Sequence, residues 1–374
     1  MNKIGIITLN GYFNYGNRLQ NYALQEILKQ FNYKVETIWI DNKKQKNESV
    51  SKTIKLVKNP KLILKKAYRK LYLNPLKVKR ENRFRQFSDD YINETKYSIS
   101  ENYLPKELLD GYKYYVTGSD QVWNPFYIKG SPLYFLTFVP KSKRISYAAS
   151  FGISNIPKDY MDNYTKWLTE MKSISVREKN GAEIVKTLTN REVPVVVDPT
   201  LLLTKEDWLV ITKPSKNKPE KDILLTYFLG EIPKKIQSKI KKYKRKYKLE
   251  VVNLANPKYK NHYLTDPAEF LDYIYSAKLF FTDSFHGAVF SILFETPFVV
   301  ANRKSKTPSM NSRIETLLST FKLKSRHVDN INEKEILDVD FSHTFDILAS
   351  ERNRAFDYLN KSINKSSTEL IEER

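Results

Sequence analysis

KIGIITLNGYFNYGNRLQNYALQEILKQFNYKVETIWI, residues 3–40, decides the fold class. It opens with a compact apolar run (3–9) and crosses a loop rich in glycine, asparagine and aromatic residues (10–17). It then places Leu19, Tyr22, Ala23, Ile27 and Phe31 at helical spacing and ends in a second apolar run (34–40). Strand, polar loop, helix, strand is the opening of a parallel α/β sheet, because parallel strands need a crossover that a helix supplies. Ligands of such sheets bind at the carboxyl ends of the strands, which here means the 10–17 loop.

The same logic recurs outward from this stretch. YKYYVTGSDQVWNP (112–125) is a strand running into a polar loop, RISYAASFG (144–152) is another strand, and VPVVVDPTLLL (193–203) is a buried strand stopped by Asp198-Pro199. The charged stretch 205–221, with Pro214 and Pro219, reads as a boundary. Beyond it a second α/β unit begins with the strands 222–230 and 249–254. In DPAEFLDYIYSA (266–277) Asp266, Pro267 and Glu269 signal a helix start. The expected architecture is two Rossmann-like domains facing a cleft: residues 1–204 on the acceptor side and 220–343 on the donor side. A helix over 344–364 and a tail over 365–374 follow.

Composition narrows the chemistry. Hydrophobic residues make up 41% of the 374, enough for real cores, and cysteine is absent, so disulfides, thiolate nucleophiles and Cys-ligated metals are excluded. The start MNKIGIITLN lacks the pattern of a signal peptide, and no window reaches the roughly 18 apolar residues of a membrane span. The expectation is a cytoplasmic protein. Net charge is +22, and residues 51–87 carry thirteen Lys/Arg against one acid, Glu81. Apolar residues interleave with these cations as on a basic amphipathic helix. An anionic membrane surface on the inner face is one partner that fits; a solvated insertion is the plainer reading. No nucleic-acid module accompanies the patch, and none is expected as a partner.

The polar residues that break apolar runs are the candidate site. In FFTDSFHGAVF (280–290), Asp283, Ser284, His286 and Gly287 fall where a strand hands over to a helix, a position whose N–H groups and dipole favour an anion. A histidine there can donate to a phosphate or move a proton near neutral pH; taken alone, it could equally be a core histidine. Arg177 ends SISVRE, Asp120 lies in TGSDQ, Asp198 precedes Pro199, and Arg303, Lys304, Lys306 and Arg313 follow PFVVAN. For Arg177 the plain alternative is a surface pair with Glu178 or Glu183. Together these residues outline a cleft for a small, strongly anionic substrate.

In this order, ITLNGYFNYGNRLQNYALQEIL, VTGSDQVWNP, YAASFG, ISVREKNGAEIVKTL, VVVDPTLLL, FFTDSFHGAVFSILFETPFVV and MNSRIETLLSTFKL resemble the polysaccharide pyruvyl transferase family over roughly residues 3–323. The resemblance implies a GT-B-like fold, phosphoenolpyruvate as co-substrate with no other cofactor and no metal, and a glycan acceptor, lipid-linked in one version. The product is a pyruvate ketal on two sugar hydroxyls, made for an envelope or capsular polysaccharide. It maps the family's donor contacts onto His286 and Arg177, and puts Arg313 where the family has a lysine. The loop 303–306 is an alternative for that role.

The chemistry then asks for an acid, anion clamps and a base. His286 is the candidate acid, with Asp120 or Asp283 as base. Arg177, Arg313, Ser284, Gly287, Lys304 and Lys306 are the donor set. Tyr12, Asn14, Tyr15, Asn17 and Trp123 are the expected acceptor contacts, with edge packing of the first domain as the alternative. Two other functions fit the same outline: a GT-B glycosyltransferase using a nucleotide sugar, and a non-catalytic basic membrane-associated glycan-binding protein.

Overall fold

The structure is a computed structural model that describes residues 2–41, 68–303 and 311–364. Nine named strands form two parallel sheets. The first holds β1 (Lys3–Ile7), β2 (Lys34–Ile40), β3 (Glu94–Ile99), β4 (Tyr114–Asp120) and β5 (Arg144–Ala149) in the order β3-β2-β1-β4-β5. The second holds β6 (Ile223–Tyr227), β7 (Glu250–Asn253), β8 (Ala277–Thr282) and β9 (Phe298–Val300) in the order β7-β6-β8-β9. β1 is buried on both faces, with Ile4, Ile6 and Ile7 fully enclosed, as a central parallel strand must be. Strand order reverses between β1 and β4 and between β6 and β8, so each sheet has a switch point whose carboxyl end is the default ligand position. The run 193–203, expected as a strand, joins the first sheet only through a single bridge at Val195, by way of the equally short pairing of 173 and 176 with β5.

The helix Tyr15–Lys29 begins where Asn14 caps it, its side chain accepting the Asn17 N–H at 3.4 Å. The helix Pro267–Ser276 begins with the expected capping box between Asp266 and Glu269. These two helices meet: the Tyr15 ring stacks on Phe270 at 4.2 Å between centroids, and its hydroxyl donates to the Thr265 carbonyl at 3.0 Å. One hydrophobic core includes Ile4, Tyr15, Trp208, Phe270 and Phe290, and so runs through both halves. The 205–221 stretch is no open linker, since its helix Lys205–Ile211 buries Trp208. The final helix Thr344–Asn364 returns to the first half, where Arg352 donates to the carbonyls of Leu201 (2.9 Å) and Leu203 (2.7 Å) and Tyr358 to that of Ser146 (2.6 Å).

Part of the basic segment is structural. Residues 51–67 lie outside the described residues; the rest enters a π-helical turn, Arg69–Leu73, and the helix Asn74–Tyr91. Arg80 is buried with its guanidinium 4.7 Å from the Tyr15 ring, 4.9 Å from Phe84 and 4.7 Å from Tyr263, and donates to the Leu254 and Tyr263 carbonyls. Arg83 pairs with Asp266 and Glu269. These two cations fasten a first-half helix to the second half. Among the described residues no helix is long and apolar enough to cross a membrane.

Candidate active site

The helix Phe285–Leu293 starts directly after β8, and His286 is its second residue. His286 is 5% exposed. Its Nε2 lies 3.5 Å from Asp198 Oδ2 yet closes no hydrogen bond. The other side of the ring rests on Gly16 of the first half: a β-carbon added to Gly16 would overlap the imidazole Nδ1 and Cγ. A residue of the first half thus seats a histidine of the second.

Arg177 is not a surface residue paired with Glu178 or Glu183. It is buried, with Nη1 donating to Asp198 Oδ2 at 2.5 Å and Nη2 to Asp120 Oδ1 at 3.1 Å. Asp198 also accepts the Ser119 hydroxyl (3.0 Å) and the Thr200 N–H (3.1 Å) and hydroxyl (2.7 Å). Glu178 turns away and accepts from the Ser150 hydroxyl and the Phe151 and Gly152 N–H groups. Arg313, from the helix Ser312–Thr320, has only a long contact here, Nη1 to Asp120 Oδ1 at 3.8 Å. Both guanidinium groups lie over the Phe285 ring, Arg177 at 4.4 Å and Arg313 at 5.9 Å. A cavity of about 370 Å³ opens on this cluster, lined by Arg177, Asp198, Phe285 and Arg313 together with Glu351 and Arg354 of the last helix.

The charges are unevenly balanced. Burial, the largest influence on Asp120 and on Asp198, works to raise their pKa values. It is outweighed, for Asp120 by Arg177, His286 and Arg313 and for Asp198 by His286 and Arg177, so both carboxyls stay below the ordinary range. For Arg177 burial acts downward, but Asp198 and Asp120 raise it above the usual value. Arg313 goes the other way: burial first, and the neighbouring Arg177 charge second, push it down to about 10. Among the described residues Arg313 is a buried cation without a full counter-charge. The Nε atoms of both arginines, like His286 Nε2, find no hydrogen-bond partner among the described residues although they are buried.

Several expected contacts have other duties. Trp123 is fully enclosed, stacked on Phe135 at 5.5 Å with its N–H donated to the Tyr134 carbonyl, so it cannot face an acceptor. Tyr15 is equally enclosed, in the stack with Phe270. Asn17 is spent on the Leu9 carbonyl and Arg18, and Asn14 is the helix cap. Asp283 is no free base: its two oxygens accept the N–H groups of Leu229 (2.7 Å) and Gly230 (2.9 Å), with Arg303 alongside at 3.4 Å. Ser284 caps its helix by accepting the Gly287 N–H at 3.2 Å. Gly287 faces β8 rather than a ligand, because a β-carbon there would sit 2.9 Å from Thr282 Oγ1. Lys304 and Lys306 lie outside the described residues. Tyr12, of the expected acceptor residues, borders a pocket. Among the described residues no group of three His, Cys, Asp or Glu is gathered as for a metal ion.

Sequence reasoning missed Gly16 and Ser119. Gly16 left a signal: glycine inside a helix costs about 1 kcal/mol against alanine, so its presence one residue into a helix marks a close approach. Ser119 left none, since only the fold brings it to Asp198.

The solved structures that share this architecture are distant in sequence. A Listeria monocytogenes protein assigned as a UDP-N-acetylglucosamine 2-epimerase superposes with a TM-score of 0.50 at 12% identity, over 97% of each chain. UDP-GlcNAc 2-epimerase from Neisseria meningitidis gives 0.43 at 9% identity, over 99% of this chain and 100% of the other. The first of these supports a GT-B-like fold of two Rossmann-like units and nothing finer. No curated protein matches the chain. The family model for polysaccharide pyruvyl transferase matches residues 14–305. That span holds Gly16, Asp120, Arg177, Asp198 and His286, the residues that converge from both halves, while Arg313 lies beyond it. The chain belongs to the polysaccharide pyruvyl transferase family.

Proposed function

We propose that the protein transfers the pyruvyl unit of phosphoenolpyruvate to two hydroxyls of a glycan sugar, forming a pyruvate ketal and releasing phosphate, in the synthesis of an envelope or capsular polysaccharide. The observation that supports this most is the cavity lined by Arg177, Asp198 and Arg313, with His286 against the far side of Asp198 at 3.5 Å. In the reaction C3 of the enol gains a proton and C2 becomes cation-like. One sugar hydroxyl adds to C2 and gives up its proton. The C2–O bond to phosphate breaks, and the second hydroxyl closes the ring, its proton leaving with the phosphate. His286 supplies the first proton. Arg313 holds the phosphate or carboxylate of the donor. Arg177, already engaged by two carboxylates, is a positioning residue that keeps Asp198 and Asp120 in place. The exposed Leu71 and Val78, set among the exposed Arg69, Lys70, Lys77 and Lys79, support a peripheral contact with an anionic membrane that carries the acceptor.

The test is incubation with phosphoenolpyruvate and a panel of synthetic and lipid-linked glycosides, reading phosphate release and product mass, with nucleotide sugars in parallel. His286→Ala is expected to lower turnover by about two to four orders of magnitude in a folded protein. Nucleotide release from a nucleotide sugar, without phosphate from phosphoenolpyruvate, would replace this reading by a glycosyltransferase.

A further inference from the structure

A second pocket, of about 570 Å³, lies at the carboxyl ends of β1 and β2 against the helix Asn74–Tyr91. Four aromatic side chains line it: Tyr12, Phe13, Trp39 and Tyr263. Tyr12 and Trp39 stack at 5.2 Å with 17° between planes, and Phe13 is 70% exposed. Gly11, at φ +151°, gives the loop a conformation that a side chain would strain, and the Phe13 ring folds into the space that a β-carbon there would occupy. Arg85 lies 4.2 Å above the Tyr12 ring, where it also pairs with Glu81 at 3.2 Å, and Lys77 stands on the same wall. The Tyr12 hydroxyl is fixed by Glu94 at 2.9 Å. The pocket is tied to the reacting centre through contacts already described: Arg80 lines it and stacks on Tyr15, and Tyr15 is followed by Gly16, on which His286 rests.

We propose that this pocket is the acceptor subsite, and that it takes a pyranose bearing a phosphate at its anomeric end. The inference rests on the glycan-acceptor reading above and deepens it. A sugar ring has one face of C–H groups and a rim of hydroxyls. An exposed phenylalanine beside a tyrosine–tryptophan stack offers area to the first, and the Glu81 carboxylate, paired on one side with Arg85, offers an acceptor to the second. Arg85 and Lys77, on one wall, match a phosphate rather than a neutral substituent. The assignment also separates the two substrates: the enol donor against Arg313 and His286, the sugar along the 10–13 loop.

The experiment is ligand-observed NMR on the full-length protein without donor. The probes are glucose 1-phosphate, galactose 1-phosphate and N-acetylglucosamine 1-phosphate, each beside its methyl glycoside. At least one sugar phosphate should bind, its methyl glycoside at least tenfold more weakly. Phe13→Ala and Arg85→Gln should each weaken the sugar phosphate at least tenfold. Phosphoenolpyruvate binding is measured on the same three proteins and should be unchanged by either substitution. Wild-type protein that binds none of the sugar phosphates, that binds phosphate and methyl forms alike, or that binds them regardless of Phe13 and Arg85 overturns the proposal. Failure of the donor reading would show separately, as wild-type protein that does not bind phosphoenolpyruvate.

Discussion

Arg177 and Arg313 lie over the same phenylalanine ring, both buried, and the protein treats them oppositely. Arg177 has a carboxylate on each side and is raised in pKa; Arg313, among the described residues, has only the long contact to Asp120 and the weaker pull of Glu178, and is lowered. A buried charge needs a partner or a function. The first arginine has its partners within the chain and belongs to the framework. The second has a deficit that an anionic ligand would fill. The contrast turns a list of basic residues in a cleft into two roles, and it can be broken from either side.

The largest effect is expected at the framework arginine. Arg177→Met strands two buried carboxylates, and losing one member of a buried pair costs on the order of 3–5 kcal/mol. Chemical denaturation at pH 7 measures it. The pH dependence checks the cause. Asp120 and Asp198 have depressed pKa values in the folded state, so their contribution is present above the ordinary carboxylate range and is lost as pH falls below about 4 towards the folded values. In the variant, burial without Arg177 acts to raise both values, so protonation relieves the strain. The stability gap between the two proteins should therefore narrow on acidification. A gap that stays constant from pH 7 to pH 3 would mean that the loss is one of packing, not of charge.

A smaller effect, and a sharper one, is expected at Gly16. Gly16→Ala pushes a methyl group into the His286 ring, and overpacking of this kind costs about 1–3 kcal/mol. His286→Ala removes the ring and makes room. The double variant should then be no less stable than His286→Ala alone, a coupling on the order of 1–3 kcal/mol between residues in contact. Turnover should follow the same rule, with Gly16→Ala costly only while the imidazole is present. Additive losses would show that Gly16 serves its own helix and does not seat the histidine.

These variants also mark what the sequence could and could not disclose. Most strands of the two sheets were legible because buried parallel strands are continuous apolar runs with helices between them, whereas the edge strand β3, ETKYSI, is polar and only partly buried and left no such run; the capping box at Asp266 was legible because its partners are three residues apart. His286 stood out because a polar residue interrupted such a run. What lay hidden was pairing across long separations: Ser119 with Asp198, Gly16 with His286, Arg80 with Tyr263. Side-chain direction was equally hidden. Trp123 and Tyr15 sit in polar, ligand-like contexts in the sequence, yet both rings turn into cores, because a large aromatic gains more from burial than an exposed loop position offers. Asp283 misled for a related reason. A carboxylate at a strand end looks free until the two N–H groups of the neighbouring strand's loop are seen to hold it.

The smallest change in stability is the one that decides the comparison. Arg313 held at a pKa of about 10 keeps its charge at pH 7 at a cost of roughly 3 kcal/mol relative to an arginine in water. Removing the cation removes that cost together with the packing of its stem. Arg313→Met should therefore lie within about 1 kcal/mol of the parent, or above it, where Arg177→Met falls far below. Asp120 keeps its closer partner, Arg177 at 3.1 Å, so no carboxylate is stranded. Binding should move the other way: a lost charge-assisted contact to phosphate or carboxylate weakens the donor by about 10- to 100-fold, read by calorimetry with phosphoenolpyruvate. Arg313→Lys keeps the charge but not the fork, and should fall between. The two arginines would have to exchange roles if Arg313→Met unfolded the protein as readily as Arg177→Met while leaving donor binding intact. Stability unchanged and binding lost would instead establish that the protein carries an unbalanced charge at this place for its substrate.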